Sequence, residues 1–191
     1  MSPFDVDAVA EVLMSIVGVS DALDWFIAFV ARYSPFVVGA LAIAAIVKER
    51  RWRMRVWATA LTLLTLILSR GIIAPLIHLA VPRPRPFEVL GIESLVNADP
   101  GSALPSGHAS LLFAIAFAVL FYRRSWGWWL VGLSLLNGAA RVAGGVHWVG
   151  DILGGLAVAA ASALVIHALI GRYRPASAPP EPAAAPPLAK E

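Results

Sequence analysis

The chain has 191 residues, 59% of them hydrophobic and only 14% charged, and its mean hydropathy is +0.77. These values lie outside the range of soluble domains and describe an integral membrane protein. It has no cysteine, which excludes disulfides and thiolate metal sites, and its net charge of +3 gives no reason to expect a nucleic-acid partner.

Residues 1–20 lack the basic start and small-residue cleavage pattern of a secretory signal, so they are expected to stay in the mature protein as an amphipathic or interfacial helix. Five segments then approach the roughly 20 apolar residues that a helix needs to cross hydrocarbon: about 22–47, 56–80, 107–122, 126–143 and 148–170. No alternating ten-residue pattern points to a membrane barrel. The expected fold is all-α, a polytopic transmembrane helix bundle of about five spans. The first span is expected to break at Ser34-Pro35, because proline removes a backbone donor and restricts the residue before it.

The connections "KERRWRMR" and "YRRS", with "GRYR" after the last span, hold nine of the fifteen Lys and Arg residues. Five crossings place all three on one side, which the positive-inside rule makes cytoplasmic. The other side receives the acidic N-terminus, the long loop 81–106 and the turn near 144–147. All seven tryptophans fall near span ends, as an interfacial belt predicts. Residues 1–174 read as one membrane domain, and 175–191, rich in Pro and Ala, read as a disordered tail.

Three polar clusters meet at the outward face. In "HLAVPRPRPF" (78–87), alternating prolines hold Arg83 and Arg85 in a restricted geometry, and guanidinium forks match phosphate oxygens; such a patch also serves simply to meet lipid headgroups. In "PSGH", Ser106 is a favoured N-cap, Gly107 lets an oxyanion come near the backbone, and His108 stands in the first helical turn. There the helix dipole makes an imidazolium a better acid, although a plain capped helix has the same letters. In "RVAGGVHWVGD", His147 and Asp151 are four apart and share a helical face behind Arg141. A carboxylate there can accept from one imidazole nitrogen and leave the other to attack an electrophile, or the pair can merely lock helices. The inventory is cationic, with a nucleophile and an acid. It lacks the carboxylate clusters and Gly-rich Lys loop of Mg²⁺-dependent nucleotide enzymes, so no metal or other cofactor is expected. Arg70, mid-span and eight residues before His78, is expected to pair with Asp151 or a carbonyl, and Asn137 to hydrogen-bond between helices. Gly150-x3-Gly154 is expected to allow close helix approach.

In order and spacing, His78-x6-Arg85-Pro86, Pro105-Ser106-Gly107-His108 and Arg141-x5-His147-x3-Asp151 resemble the three-part signature of the type 2 phosphatidic acid phosphatase superfamily. The resemblance implies an all-α bundle with its site at the extracytoplasmic helix ends. His147 would be the nucleophile that forms a phosphohistidine, Asp151 its orienting partner, and His108 the proton donor to the leaving oxygen. Arg85 and Arg141, with Ser106 and the Gly107 amide, would hold the phosphoryl oxygens. Two positions depart from the pattern: His78 stands where lysine is usual, with Arg83 an alternative source of that cation, and Ala140 stands where serine often precedes the arginine. The chain looks most like the bacterial undecaprenyl-diphosphate phosphatases of this superfamily, which implies a lipid diphosphate substrate at the headgroup level, membrane lipids as surroundings and a bacterial plasma-membrane location. Phosphatidylglycerophosphate or phosphatidic acid phosphatase activity is the enzymatic alternative, and a non-catalytic lipid-phosphate binder or transporter the alternative of another class.

Overall fold

The structure is a computed structural model that describes residues 14–98 and 101–175. Most of the expected interfacial helix (residues 1–13) and the tail from 176 lie outside the described residues. Five long rods coincide with the five expected segments, and the described residues form no strand. They are α1 (Asp21–Val47), a second rod built from α2 (Trp52–Leu66), a π-helical turn (Ile67–Ile73) and α3 (Ala74–Ala80), then α5 (Gly107–Leu120), α6 (Arg124–Ala143) and α7 (Val149–Ile170); the short α4 (Pro86–Leu90) lies in the long loop.

Three of these, Asp21–Val47, Trp52–Ala80 and Val149–Tyr173, are long and apolar enough to span a membrane unaided. Helix α6 has the length, 20 residues, but carries Asn137 and Arg141. Helix α5 is apolar but only 14 residues long, about 21 Å at 1.5 Å per residue. It sits in the middle of the bundle against α1, α2, α6 and α7, with Leu112, Phe113, Ala116 and Val119 wholly buried. The protein is therefore a multi-pass membrane protein whose central helix is sheathed by the others.

Helix α1 does not break at Ser34-Pro35; it runs through Pro35 without interruption. Proline takes away the amide that would bond the carbonyl four residues back, which is Ala31. Asn137 of α6 replaces it: its Nδ2 donates to the Ala31 carbonyl at 3.1 Å and to Ser34 Oγ at 2.9 Å. The orphaned acceptor is satisfied from a neighbouring helix, as hydrocarbon surroundings demand. Trp25, Trp52, Trp128 and Trp129 are exposed, as an interfacial belt requires, whereas Trp57 and Trp148 are internal and bond the carbonyls of Ile170 and Pro84.

Close approach of α5 and α7 rests on Gly155. A Cβ there would fall 2.6 Å from Ala109 Cβ and 2.9 Å from the Ser106 carbonyl oxygen. Of the expected pair, Gly154 faces Leu104 and Gly150 faces Arg83, so neither makes that crossing. The loops between α3 and α5 and between α6 and α7 lie at one end of the bundle, and the arginine-rich α1–α2 connection and the α7 terminus at the other.

Candidate active site

Helix α7 begins after a turn in which Gly145 takes φ +76°, a conformation that glycine adopts at no steric cost. That turn sets His147 just ahead of the helix. Asp151, at the third helical position and wholly buried, accepts from the Trp148 amide at 2.8 Å and so caps the helix. Its other oxygen accepts from Arg83 Nη1 at 2.7 Å. His147 Nδ1 lies 3.4 Å from Asp151 Oδ2, a close polar contact that is not yet a well-formed hydrogen bond. Burial pushes the His147 imidazole below its ordinary value, opposed by Asp151 and reinforced by the Arg141 and Arg85 charges. The neutral ring is favoured.

Helix α5 begins at Ser106, whose Oγ accepts from the Ala109 amide at 3.4 Å and whose own amide donates to the Asp151 carbonyl at 2.9 Å. The two helix starts that carry the second and third motifs are thereby bonded to each other. The long loop joins them through Phe87 N to Gly145 O (3.0 Å), Trp148 Nε1 to Pro84 O (3.0 Å) and Arg85 Nη1 to Val146 O (3.0 Å). Ser102 Oγ closes the loop on itself, accepting from Arg83 N and donating to Val81 O.

Between these segments lies a cavity of about 580 Å³. His147, His108, Arg85 and Arg141 line it together with Gly107 and His78. Arg85 and Arg141 are buried, and Arg85 Nε has no hydrogen-bond partner among the described residues. No carboxylate lines the cavity among the described residues. Its electrostatics therefore favour an anion. His108 and Arg141 also border a second cavity of about 440 Å³ against α1. Among the described residues, no group of three or more His, Asp or Glu side chains has a metal-binding arrangement.

Two expected phosphate ligands face elsewhere. Ser106 is wholly buried as a helix cap and does not line the cavity, and Arg83 turns to Asp151 and the face of Trp148. His78 does line the cavity, but its Nε2 also donates to the Pro105 carbonyl at 2.7 Å and so braces the "PSGH" turn. Arg70 was expected to reach Asp151 or a carbonyl. Among the described residues it pairs with neither; it lines the cavity, while Arg83 occupies Asp151. The sequence signal for it was the eight-residue spacing from His78, which puts both on nearly one face; the π-helical turn that carries it had no such signal.

The model of the PAP2 superfamily matches residues 59–175. The chain belongs to the PAP2 superfamily. Among curated members, it is 39% identical over 84 residues to undecaprenyl-diphosphatase BcrC of Bacillus subtilis (strain 168); the matched stretch covers 44% of each chain, less than half of the relative's length. Among solved structures, LpxE of Aquifex aeolicus superposes with a TM-score of 0.68 at 19% identity, covering 87% of this chain and 98% of that one. A transmembrane PAP2-type phosphatidylglycerolphosphate phosphatase from Bacillus subtilis superposes with a TM-score of 0.58 at 15% identity, covering 86% of this chain and 84% of that one. At those identities the two structures speak to the fold.

Proposed function

We propose that this PAP2 protein is a membrane lipid phosphatase that removes the terminal phosphate of an isoprenoid lipid diphosphate, undecaprenyl diphosphate being the favoured substrate. The observation that carries the reading is the meeting of a buried, neutral-favoured His147, with Asp151 behind it, and the guanidiniums of Arg85 and Arg141 around one acid-free cavity. The identity to the curated undecaprenyl-diphosphatase supports the choice of substrate. Arginine-rich segments at the far end of the bundle support an extracytoplasmic site in a bacterial plasma membrane.

In this mechanism the free His147 nitrogen attacks the terminal phosphorus while the bond from that phosphorus to the bridging oxygen breaks. The electron pair goes to the bridging oxygen, which takes a proton from His108, and lipid monophosphate leaves. Asp151 balances the charge that the imidazole acquires. Arg85 and Arg141 hold the equatorial oxygens through the transition state, where positioned charges act most strongly. Water, deprotonated by the now-basic His108, then cleaves the phosphohistidine and releases inorganic phosphate. Proton transfer of this kind contributes about 10²–10⁴-fold.

The test is phosphate release by the purified protein in detergent from undecaprenyl diphosphate in the presence of EDTA. Turnover in EDTA, lost in His147→Ala, is the expected result, and acid-labile, base-stable labelling of the wild type marks the phosphohistidine. Full activity in His147→Ala would overturn the mechanism. A panel with phosphatidic acid and phosphatidylglycerophosphate fixes the preferred lipid, and tight binding without turnover would make the protein a binder.

A further inference from the structure

The cavity has a second cationic end that the hydrolysis above does not use. Arg70 projects from the π-helical turn Ile67–Ile73 into the same space as His147. Its guanidinium comes so near the start of α5 that a Cβ on residue 107 would fall 2.9 Å from Arg70 Nε and 3.2 Å from Cζ. A cation there faces the positive end of the α5 dipole, and His78, Arg85 and Arg141 share the cavity with no carboxylate among the described lining residues. Like charges gathered in this way are unfavourable unless an anion lies among them.

The cavity is also graded along its length. Arg85, Ser102 and His147 reach it from the loops at the bundle end, whereas Arg70 and Leu111 reach it from within the helices. Pro75 and Leu111 give the inner part an apolar wall, and Leu79, one residue from the end of α3, is 83% exposed on the outside of the bundle and makes the rim apolar. An anionic group held at Arg70 therefore lies between the reacting centre and the hydrocarbon. That is where the inner phosphate of a lipid diphosphate belongs when its terminal phosphate is at His147.

We propose that Arg70 forms a second phosphate subsite that holds the lipid-side phosphate of a diphosphate substrate and sets the preference for diphosphates over phosphomonoesters. This rests on the phosphatase reading above. When the bond between terminal phosphorus and bridging oxygen breaks, the leaving group is the lipid monophosphate, and its developing charge falls beside Arg70. A lipid phosphomonoester releases an alcohol, with no second phosphate for Arg70 to hold.

The experiment compares kcat/KM of the full chain in detergent for a C15 isoprenyl diphosphate and the matching C15 monophosphate. Loss of one charge-assisted hydrogen-bonding cation in Arg70→Gln is expected to lower the diphosphate-to-monophosphate ratio about 10- to 100-fold, and Arg70→Lys to restore part of it. Competitive inhibition by inorganic pyrophosphate against inorganic phosphate gives the same ratio where the monophosphate is a poor substrate. A wild-type protein that hydrolyses the diphosphate, with Arg70→Gln leaving both ratios unchanged, refutes the subsite alone. A wild-type protein that hydrolyses neither lipid overturns the phosphatase reading with it. Should Arg70→Gln not yield a monodisperse protein, Arg70→Lys and Arg70→Met carry the same comparison.

Discussion

Replacing Arg83 with glutamine removes a positive charge 2.7 Å from Asp151 Oδ1 and leaves the lining of the cavity as it is. Asp151 divides its carboxylate between that guanidinium and the His147 ring, 3.4 Å from its other oxygen. Without Arg83, the full negative charge acts on the imidazole and its protonated form gains. Across the width of one shared carboxylate, at an effective dielectric constant of about 20–40, the lost repulsion is on the order of 1 kcal/mol, or about one pH unit. Burial holds His147 below the ordinary histidine value. A nucleophile works as the free base, so the acid limb of kcat/KM, which reports the free enzyme, is expected below about pH 6.5 in the wild type and about one unit higher in Arg83→Gln. The variant is slower at acidic pH and approaches the wild type at alkaline pH, with KM little changed. Removing one partner of a fully buried pair costs about 3–5 kcal/mol, and the 14% exposure of the Arg83 side chain reduces this to roughly 2–3 kcal/mol, so the profile is recorded well below the variant's own Tm. An unmoved acid limb with KM raised about tenfold or more would refute the reasoning. It would make Arg83 a phosphate ligand after all.

Three further outcomes follow from the same geometry. His78→Lys keeps a donor for the Pro105 carbonyl and adds a cation that persists at high pH, so it retains or raises activity in an alkaline assay; complete loss with folding intact would give the imidazole a role of its own. Asn137→Leu costs about 1–2 kcal/mol in thermal unfolding, but about 1 kcal/mol less beside Pro35→Ala, which gives the Ala31 carbonyl its own amide; strict additivity would mean that Asn137 does not repair α1. Gly155→Ala drives a Cβ into backbone atoms of Ser106 and Ser110 at 2.9 Å, so about 3 kcal/mol of stability is lost and activity falls with it; a neutral result in a denaturation series would show that α5 and α7 can part without cost.

Hydropathy made the five rods legible because each is a long apolar segment closed by charges or caps. It could not show that α1 continues through Pro35, because the repair comes from Asn137, more than a hundred residues away in the chain. The chemistry of the site was legible as residue types and spacing, and the cavity does gather His78, Arg85, Gly107, His108, Arg141 and His147. Direction was not legible. Alternating prolines favour a three-residue turn, in which residues two apart diverge by roughly 120°, and Arg83 and Arg85 accordingly serve different partners. Ser106 had the right letters for a phosphate contact, but a helix start buried under Gly155 consumes its hydroxyl as a cap. Eight residues of α-helical rise put Arg70 about 12 Å deeper than His78, a measure that omits both the π-helical turn and the reach of a long side chain.

The same contacts build the site and close the end of the bundle. Asp151 caps α7, takes the Arg83 charge and stands behind His147, and its carbonyl binds the Ser106 amide at the head of α5. Buried and away from water, each of these groups costs about 1–3 kcal/mol if left unpaired, so the helix ends are held by the arrangement that aims the imidazole. Arg85, Arg141 and Arg70 are the contrasting case: Arg85 also bonds the Val146 carbonyl, but all three line a cavity with no carboxylate among its described lining residues. Structural economy explains Asp151 and Arg83. It does not by itself account for three guanidiniums around one cavity, which the proposed diphosphate substrate would occupy.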